Sequence, residues 1–352
     1  MTRDEVLASV QRAEPVRGQK LAGMDFSSCD LSATLFEKCD FGGADLRGAD
    51  LTDAQFIGCT FTRTDMSRAE ARGTLFVESR FERVAMSEAK LHNTSWMKCE
   101  IQGLALVRGS FDFVNFAECA LDQLLFNDSR AEKLTLANCK TGVLSFSRCQ
   151  LERTVLLECD LRRTDFREAA FDTVVMVKSV LAGLSFAGQS MRNVQFIGAD
   201  VSGCDFSGAS LVQANFQQSR AGGIVFRGAR AAGVLFVDAD ISQGRFEQAG
   251  LRQALFCGAR AEGACFDGAD LYQSNWMRAR LAQASLRDCE LTYADFSHAL
   301  LDGADLRGSA MFRAKLHAVS DRGAQFSDRA RALESEPELL AAERWQPPPQ
   351  PT

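Results

Sequence analysis

The chain has 352 residues, 46% hydrophobic and 24% charged, with 40 basic and 46 acidic side chains and a formal net charge of −6. No run of 18 or more apolar residues exists, which argues against a membrane-spanning helix. The interspersed charges leave no basic stripe, which argues against direct nucleic-acid binding.

The start, "MTRDEVLASVQRAEP", mixes charges throughout and is not a secretory signal, so the expected location is the cytoplasm, with export by a signal-less route left open. Twelve cysteines in such a chain point to reduced thiols rather than a disulfide framework. The first element is a short helix. "TRDE" at 2–5 reads as a capping box of Thr2 with Glu5, Val6, Val10 and Ala13 fall on one face, and Glu14-Pro15 stops it. Residues 1–20 are read as this capping helix and its lead-in.

From Leu21 a different order takes over. Every fifth residue up to Leu316 is Phe, Leu, Ile, Val, Met or Trp, apart from Ala71, Ala131, Thr141, Ala221, Ala231 and Ala261. Only Phe113 and Phe312, among 26 phenylalanines, stand outside this register. Two places earlier the residue is mostly small, as at Ala44, Ala49, Cys59 and Thr64, and the residue between is often Asp or Asn. Neither a helix nor a strand has a period of five. Two inward residues in every five require a change of direction every five, and four such sides close a square coil of twenty residues. Types repeat at twenty: Phe126, Phe146 and Phe166 form one ladder, and Phe36, Phe56, Phe76 and Trp96 another, ten residues away. Stacked at the parallel-strand spacing, about fifteen coils make a rod on the order of 70 Å long. A six-residue register, the mark of the left-handed hexapeptide helix, fails within two repeats.

The pattern of small residue, Asp or Asn, Leu or Phe and two variable residues resembles the pentapeptide-repeat family, over about residues 21–326. The resemblance implies an all-β solenoid, a right-handed quadrilateral parallel β-helix, with short capping helices at both ends. The match is looser from about 100 to 190, where Leu104, Leu124, Leu134, Leu144 and Leu184 fill the small site, and wider or distorted coils are expected there. Asp321 at an inward position ends the stack near 320. "SEPE" at 335–338 reads as a second capping box, opening a C-terminal cap within 327–345, and 346–352 as a Pro-rich tail.

Catalytic chemistry is not evident. Ten cysteines, including Cys39, Cys59, Cys99, Cys119, Cys139 and Cys159, occupy the small inward site and read as filler rather than as a metal or redox ladder. His92, His298 and His317 read as solvated residues on different coils, and the aspartates as turn residues bonding local amides. No catalytic residue, cofactor or metal ligand is assigned, and the protein is read as a non-enzyme.

Function on such a solenoid falls to its outward positions. Three sides carry few large apolar residues there. The fourth carries Leu35, Ile57, Leu75, Val77, Met97, Val155, Leu157, Val175, Val177, Ile197, Leu235, Val237, Leu255, Cys257 and Met277. Such a stripe is larger than a soluble monomer normally exposes. It is read as the surface of a protein-interaction scaffold or adaptor, covered by a partner or a second copy. The lead-in "PVRGQKLAGMDFSSCDL" is similar to pentapeptide-repeat proteins found with type VI secretion components, which implies a secretion-tip or effector protein as partner. The alternative from the same family is a DNA-mimicking, gyrase-binding protein. It requires a strongly acidic surface, whereas Arg47, Arg68, Arg108, Arg148, Arg167, Arg227 and Arg287 lace the acidic sides here.

Overall fold

The computed structural model describes residues 1–345, and the tail expected at 346–352 lies outside them. Two compact units, Met1–Leu181 and Ala182–Thr352, divide the chain. Each is a parallel β-solenoid in which a residue pairs with the one twenty places on. In the first unit Phe36 pairs with Phe56, Phe56 with Phe76 and Phe76 with Trp96. In the second Asn215 pairs with Leu235 and Leu235 with Leu255. Pairing is already present at Val16, one step before Leu21, which lies opposite Phe36.

Of the residues at every fifth place from Leu21 to Leu316, Thr141 alone is not buried. The core consists of two interlocked ring ladders. In the second unit Phe216 stacks between Phe196 and Phe236 at centroid distances of 4.7 and 4.8 Å, and meets Phe206 and Phe226 edge-on at 5.6 Å each. In the first, Phe146 stacks between Phe126 and Phe166 at 4.8 and 5.5 Å. Like rings stack along each ladder and perpendicular rings meet across the middle, the two arrangements that a ring quadrupole favours. Phe113 and Phe312, the two out-of-register phenylalanines, are 45% and 41% exposed.

The corners explain the two variable places. From Gly18 onward every residue of positive φ, glycine or not, lies two places after a register position. At a typical corner the Cys204 amide donates to the Val201 carbonyl at 3.1 Å across Gly203, whose φ is 64°. Positive φ at the third residue is what a type II turn requires. The preceding Asp supports the bend: Asp205 Oδ1 accepts from the Ser207 amide at 2.9 Å, and Asp45, Asp50 and Asp65 do the same in the first unit.

The looser stretch behaves in two ways. Val84, Leu104 and Leu124 at the small site coincide with six-residue strands, Arg80–Ala85, Glu100–Ala105 and Ala120–Leu125, that run through the corner. Distortion is confined to 140–145. There the strand breaks between Lys140–Thr141 and Leu144–Ser145, and the Val143 amide bonds to Asp122 Oδ1 at 2.8 Å instead of to a neighbouring carbonyl. β-Branched Val143 is poorly suited to the positive φ that this corner position takes elsewhere.

Helix α1 spans Arg3–Gln11, with the expected reciprocal capping box between Thr2 and Glu5. Val6 is fully buried and Ser9 nearly so. Two expectations fail at its end. The helix stops at Gln11 rather than at Glu14-Pro15, and Ala13 is exposed at φ 53° instead of sharing a face with Val6. Helix α2 spans Pro337–Arg344, and "SEPE" is not a capping box: Glu336 is the N-cap without a side-chain bond and Pro337 takes the first turn. Ser335 Oγ instead accepts from the Ala318 amide at 2.9 Å, tying the segment to the last coils.

Two substitutions test this account by chemical denaturation. Phe216→Ala removes a ring packed on four others and is expected to cost about 3–5 kcal/mol. Gly203→Val is expected to cost roughly 1–2 kcal/mol from backbone strain alone, because a Cβ there meets nothing within 4 Å.

Candidate functional site

The apolar side is built by the pairing itself. In the first unit it is an eight-stranded parallel sheet of short strands from Val16–Arg17 to Val155–Leu157. Its register puts Ile57 beside Val77 and Val77 beside Met97, with Ala117, Ala137 and Leu157 continuing the row. Val177 follows, its carbonyl accepting from the Glu158 amide at 3.2 Å. On the flanking row Gln55 lies between Leu35 and Leu75, while Val155 and Val175 are direct partners.

In the second unit Leu235 and Leu255 are partners, and Val237, Cys257 and Met277 follow one another through the amide bonds Asp238 to Cys257 and Gly258 to Met277, both 2.9 Å. Gln217 interrupts between Ile197 and Val237. These side chains are half-buried, because each is flanked by its neighbours one coil away; Met97 alone is exposed, at 43%.

Sequence reasoning missed the rim of this side in the second unit. Tyr272, Tyr293 and Phe312 sit on successive corners with ring centroids 5.9 Å apart, edge to face, and Arg252 and Arg331 cover the two ends. Tyr293 and Phe312 are each about two-fifths exposed. A shallow cavity joins Tyr293 to Leu255, Lys315 and Leu333, and so to the apolar side. The clue was the near-twenty spacing of three aromatic residues at variable places.

Charge on the remaining surface is paired off locally. Glu88 bridges Arg68 and Arg108, one coil to either side, at 3.0 and 3.3 Å, and Arg148 bonds Asp128 at 2.6 Å. In the second unit Arg220 meets Asp200 and Arg260 meets Asp240 in the same twenty-residue relation. A second device works within one corner. Arg307 forks onto Asp305 at 2.9 and 2.6 Å and holds that carboxyl down to about 2. Arg47, Arg162 and Arg167 likewise hold Asp45, Asp160 and Asp165 below the usual carboxylate range.

The inward cysteines behave like their hydroxyl counterparts. Cys59 and Cys119 donate to the carbonyls of Phe36 and Trp96, twenty-three residues back, as Ser79 and Thr64 do to Phe56 and Phe41. Burial pushes the thiol of Cys149 up to about 11 and those of Cys204 and Cys289 up to about 12. Neutral thiols with these pKa values are poor nucleophiles and poor metal ligands.

One reading of the histidines is corrected. His317 is not solvated: it is only 9% exposed, and its Nε2 lies 3.0 Å from Glu343 of α2. His298 Nε2 lies 3.5 Å from the other oxygen of the same carboxylate. Residues 298 and 317 sit on neighbouring coils, a relation visible once the twenty-residue stacking is applied to polar as well as apolar positions.

A parallel solenoid that turns every five residues and pairs each residue with the one twenty places on defines the class, a repeat protein. The chain belongs to the pentapeptide-repeat family, whose model matches in eight copies within residues 25–63, 145–172, 178–208, 209–248, 235–273 and 278–317. Solved structures similar to it include QnrB1, a plasmid-mediated fluoroquinolone resistance protein (18% identity, 61% of this chain and 98% of that one, TM-score 0.26). HetL, involved in heterocyst differentiation regulation in the cyanobacterium Nostoc sp. strain PCC 7120, is another (17% identity, 92% and 94%, TM-score 0.17). A third is a pentapeptide repeat protein of the Arabidopsis thaliana thylakoid lumen (29% identity, 31% and 70%, TM-score 0.19). No curated protein matches in sequence.

The corner ion pairs give a pH dependence of known sign. A carboxylate held low in the folded state contributes stability above its unfolded value and loses it as pH falls through the folded one. The melting temperature is therefore expected to decline from about pH 4 and to level off only below about pH 2. Asp305→Asn, which keeps an oxygen for the turn but not the charge, is expected to flatten that decline.

Proposed function

We propose that this protein is a non-enzymatic interaction scaffold or adaptor that binds a protein partner along its apolar side. Pentapeptide-repeat proteins are in general structural or interaction proteins, which accords with this reading. The observation that carries it is the concentration of large outward apolar side chains on one of four sides, in line from Ile57 to Met97 and again from Val237 to Met277. A preference of β-branched residues for strands accounts for such residues on any side, but not for their restriction to one. The exposed Tyr293 and Phe312, with arginines against the ladder they belong to, add the residue types that dominate binding energy at protein interfaces.

In this proposal residues 21–326 form the binding solenoid, 1–20 and 327–345 close its ends, and the protein works in the cytoplasm. Among the described residues no helix is long and apolar enough to cross a membrane. A secretion-tip or effector protein, suggested by the lead-in segment, is the partner class to try first, and a second copy of the chain comes next. The DNA-mimicking, gyrase-binding alternative is disfavoured by the local pairing of arginine with carboxylate, which weakens the acidic field that such mimicry needs.

The test is a triple substitution, Ile57→Glu, Val77→Glu and Val177→Glu, assayed beside the wild type by light scattering and by capture of candidate partners. The variant is expected to keep its circular dichroism and melting profile and to lose binding at least about tenfold, a shift of about 1.4 kcal/mol. Undiminished binding by the folded variant, or potent inhibition of gyrase supercoiling by the wild type, reverses the ordering of the two readings.

A further inference from the structure

Helix α2 presents a puzzle of docking. Its eight residues are too few for a helix to be stable alone in water, yet none of them is buried against the coils, and Leu339 is 46% exposed. Apolar burial therefore does not hold it. The Glu343 carboxylate does make specific contacts with the coils, one oxygen toward each of two imidazoles on neighbouring turns.

These three side chains have the composition of a metal site. The two imidazole nitrogens and a carboxylate oxygen all lie within 4.8 Å of one another, and the His298 and His317 rings stand nearly perpendicular, at 83°. Each ring turns its Nε2 toward the Glu343 carboxylate, His298 to one oxygen and His317 to the other. Ligands about 2.0–2.2 Å from a tetrahedral zinc ion lie roughly 3.4 Å apart; each imidazole nitrogen faces its own carboxylate oxygen, at 3.0 and 3.5 Å, separations of that order. His317 is fixed by burial, while Glu343, about one-third exposed on a short helix, can rotate to close the set. A cavity opens beside the cluster, leaving room for a water as the fourth ligand. Two bases line it, Arg278 and Lys315, against the carboxylates Asp295, Glu334, Glu336 and Glu343, and Lys315 is neutralised by Asp295 at 3.3 Å. Glu343 also lies in the last turn of α2, where the helix carbonyls favour a cation.

We propose that His298, His317 and Glu343 bind one divalent ion of the zinc class, and that the ion locks the C-terminal helix onto the last coils. The donor set, two imidazoles and one carboxylate, selects zinc over magnesium or calcium, which take oxygen ligands. The lock makes no use of Ile57, Val77 or Val177, the residues that test the apolar side, so the two proposals stand or fall separately.

The test uses the full chain, stripped of metal, titrated with zinc chloride and separately with magnesium chloride by calorimetry and equilibrium dialysis. One zinc ion per chain is expected, with no binding of magnesium. His298→Gln, at the more exposed ligand, is expected to keep the wild-type circular dichroism and to weaken zinc binding at least about tenfold, as is Glu343→Gln. Zinc is also expected to slow tryptic release of the segment after Arg331 in the wild type but not in H298Q. Absence of stoichiometric zinc binding overturns the proposal. So does binding of equal strength in the double variant H298Q/H317Q, which places the ion on the cysteines, or zinc binding that leaves proteolysis of α2 unchanged.

Discussion

A chain that bends every five residues cannot satisfy its own backbone within one turn. The Phe206 amide reaches the Val225 carbonyl and the Asp205 amide reaches the Leu184 carbonyl, so each coil depends on the coils before and after it. Buried amides left without partners are costly, and this makes the stack cooperative from neighbour to neighbour rather than through one central core. Everything else about the molecule follows from that dependence. Side chains must repeat at twenty because their backbones do, rings must lie on rings, and the ends need covers.

The same dependence organises the surface. A residue on the outside has as its nearest neighbours the residues twenty before and twenty after. Where these are Arg68, Glu88 and Arg108 the charges cancel along the column. Where they are Ile57, Val77 and Met97 the column becomes an apolar strip whose members partly shelter one another. The choice of column, not of individual residue, sets what each side of the solenoid offers to its surroundings.

How much of this was legible follows from where periodicity reaches. The inward residues, the stacking at twenty and the turn role of the aspartates could be read directly, since each repeats dozens of times and errors cannot accumulate. The distortion near 100–190 was anticipated as a region but not as the break at Thr141–Leu144, because oversized leucines at the small site, Leu104 and Leu124, can yield longer strands instead. The ends were harder. "SEPE" has the letters of a capping box, but Pro337 sets the helix start one residue later than that motif needs, and Ser335 finds a partner in Ala318. The meeting of His298, His317 and Glu343 could not be read at all without the path of α2, which no repeat specifies.

The unbroken phase of the inward residues carries a consequence for how such a chain can change over time. Loss or gain of one residue within the stack moves every later inward side chain to an outward place, and loss or gain of five shifts each column onto the adjoining side. Only whole turns of twenty can be added or removed without scrambling the outside. The spacing between two features within a unit is thus adjustable only in discrete steps of about 4.8 Å, so that lengthening works like notches on a ratchet.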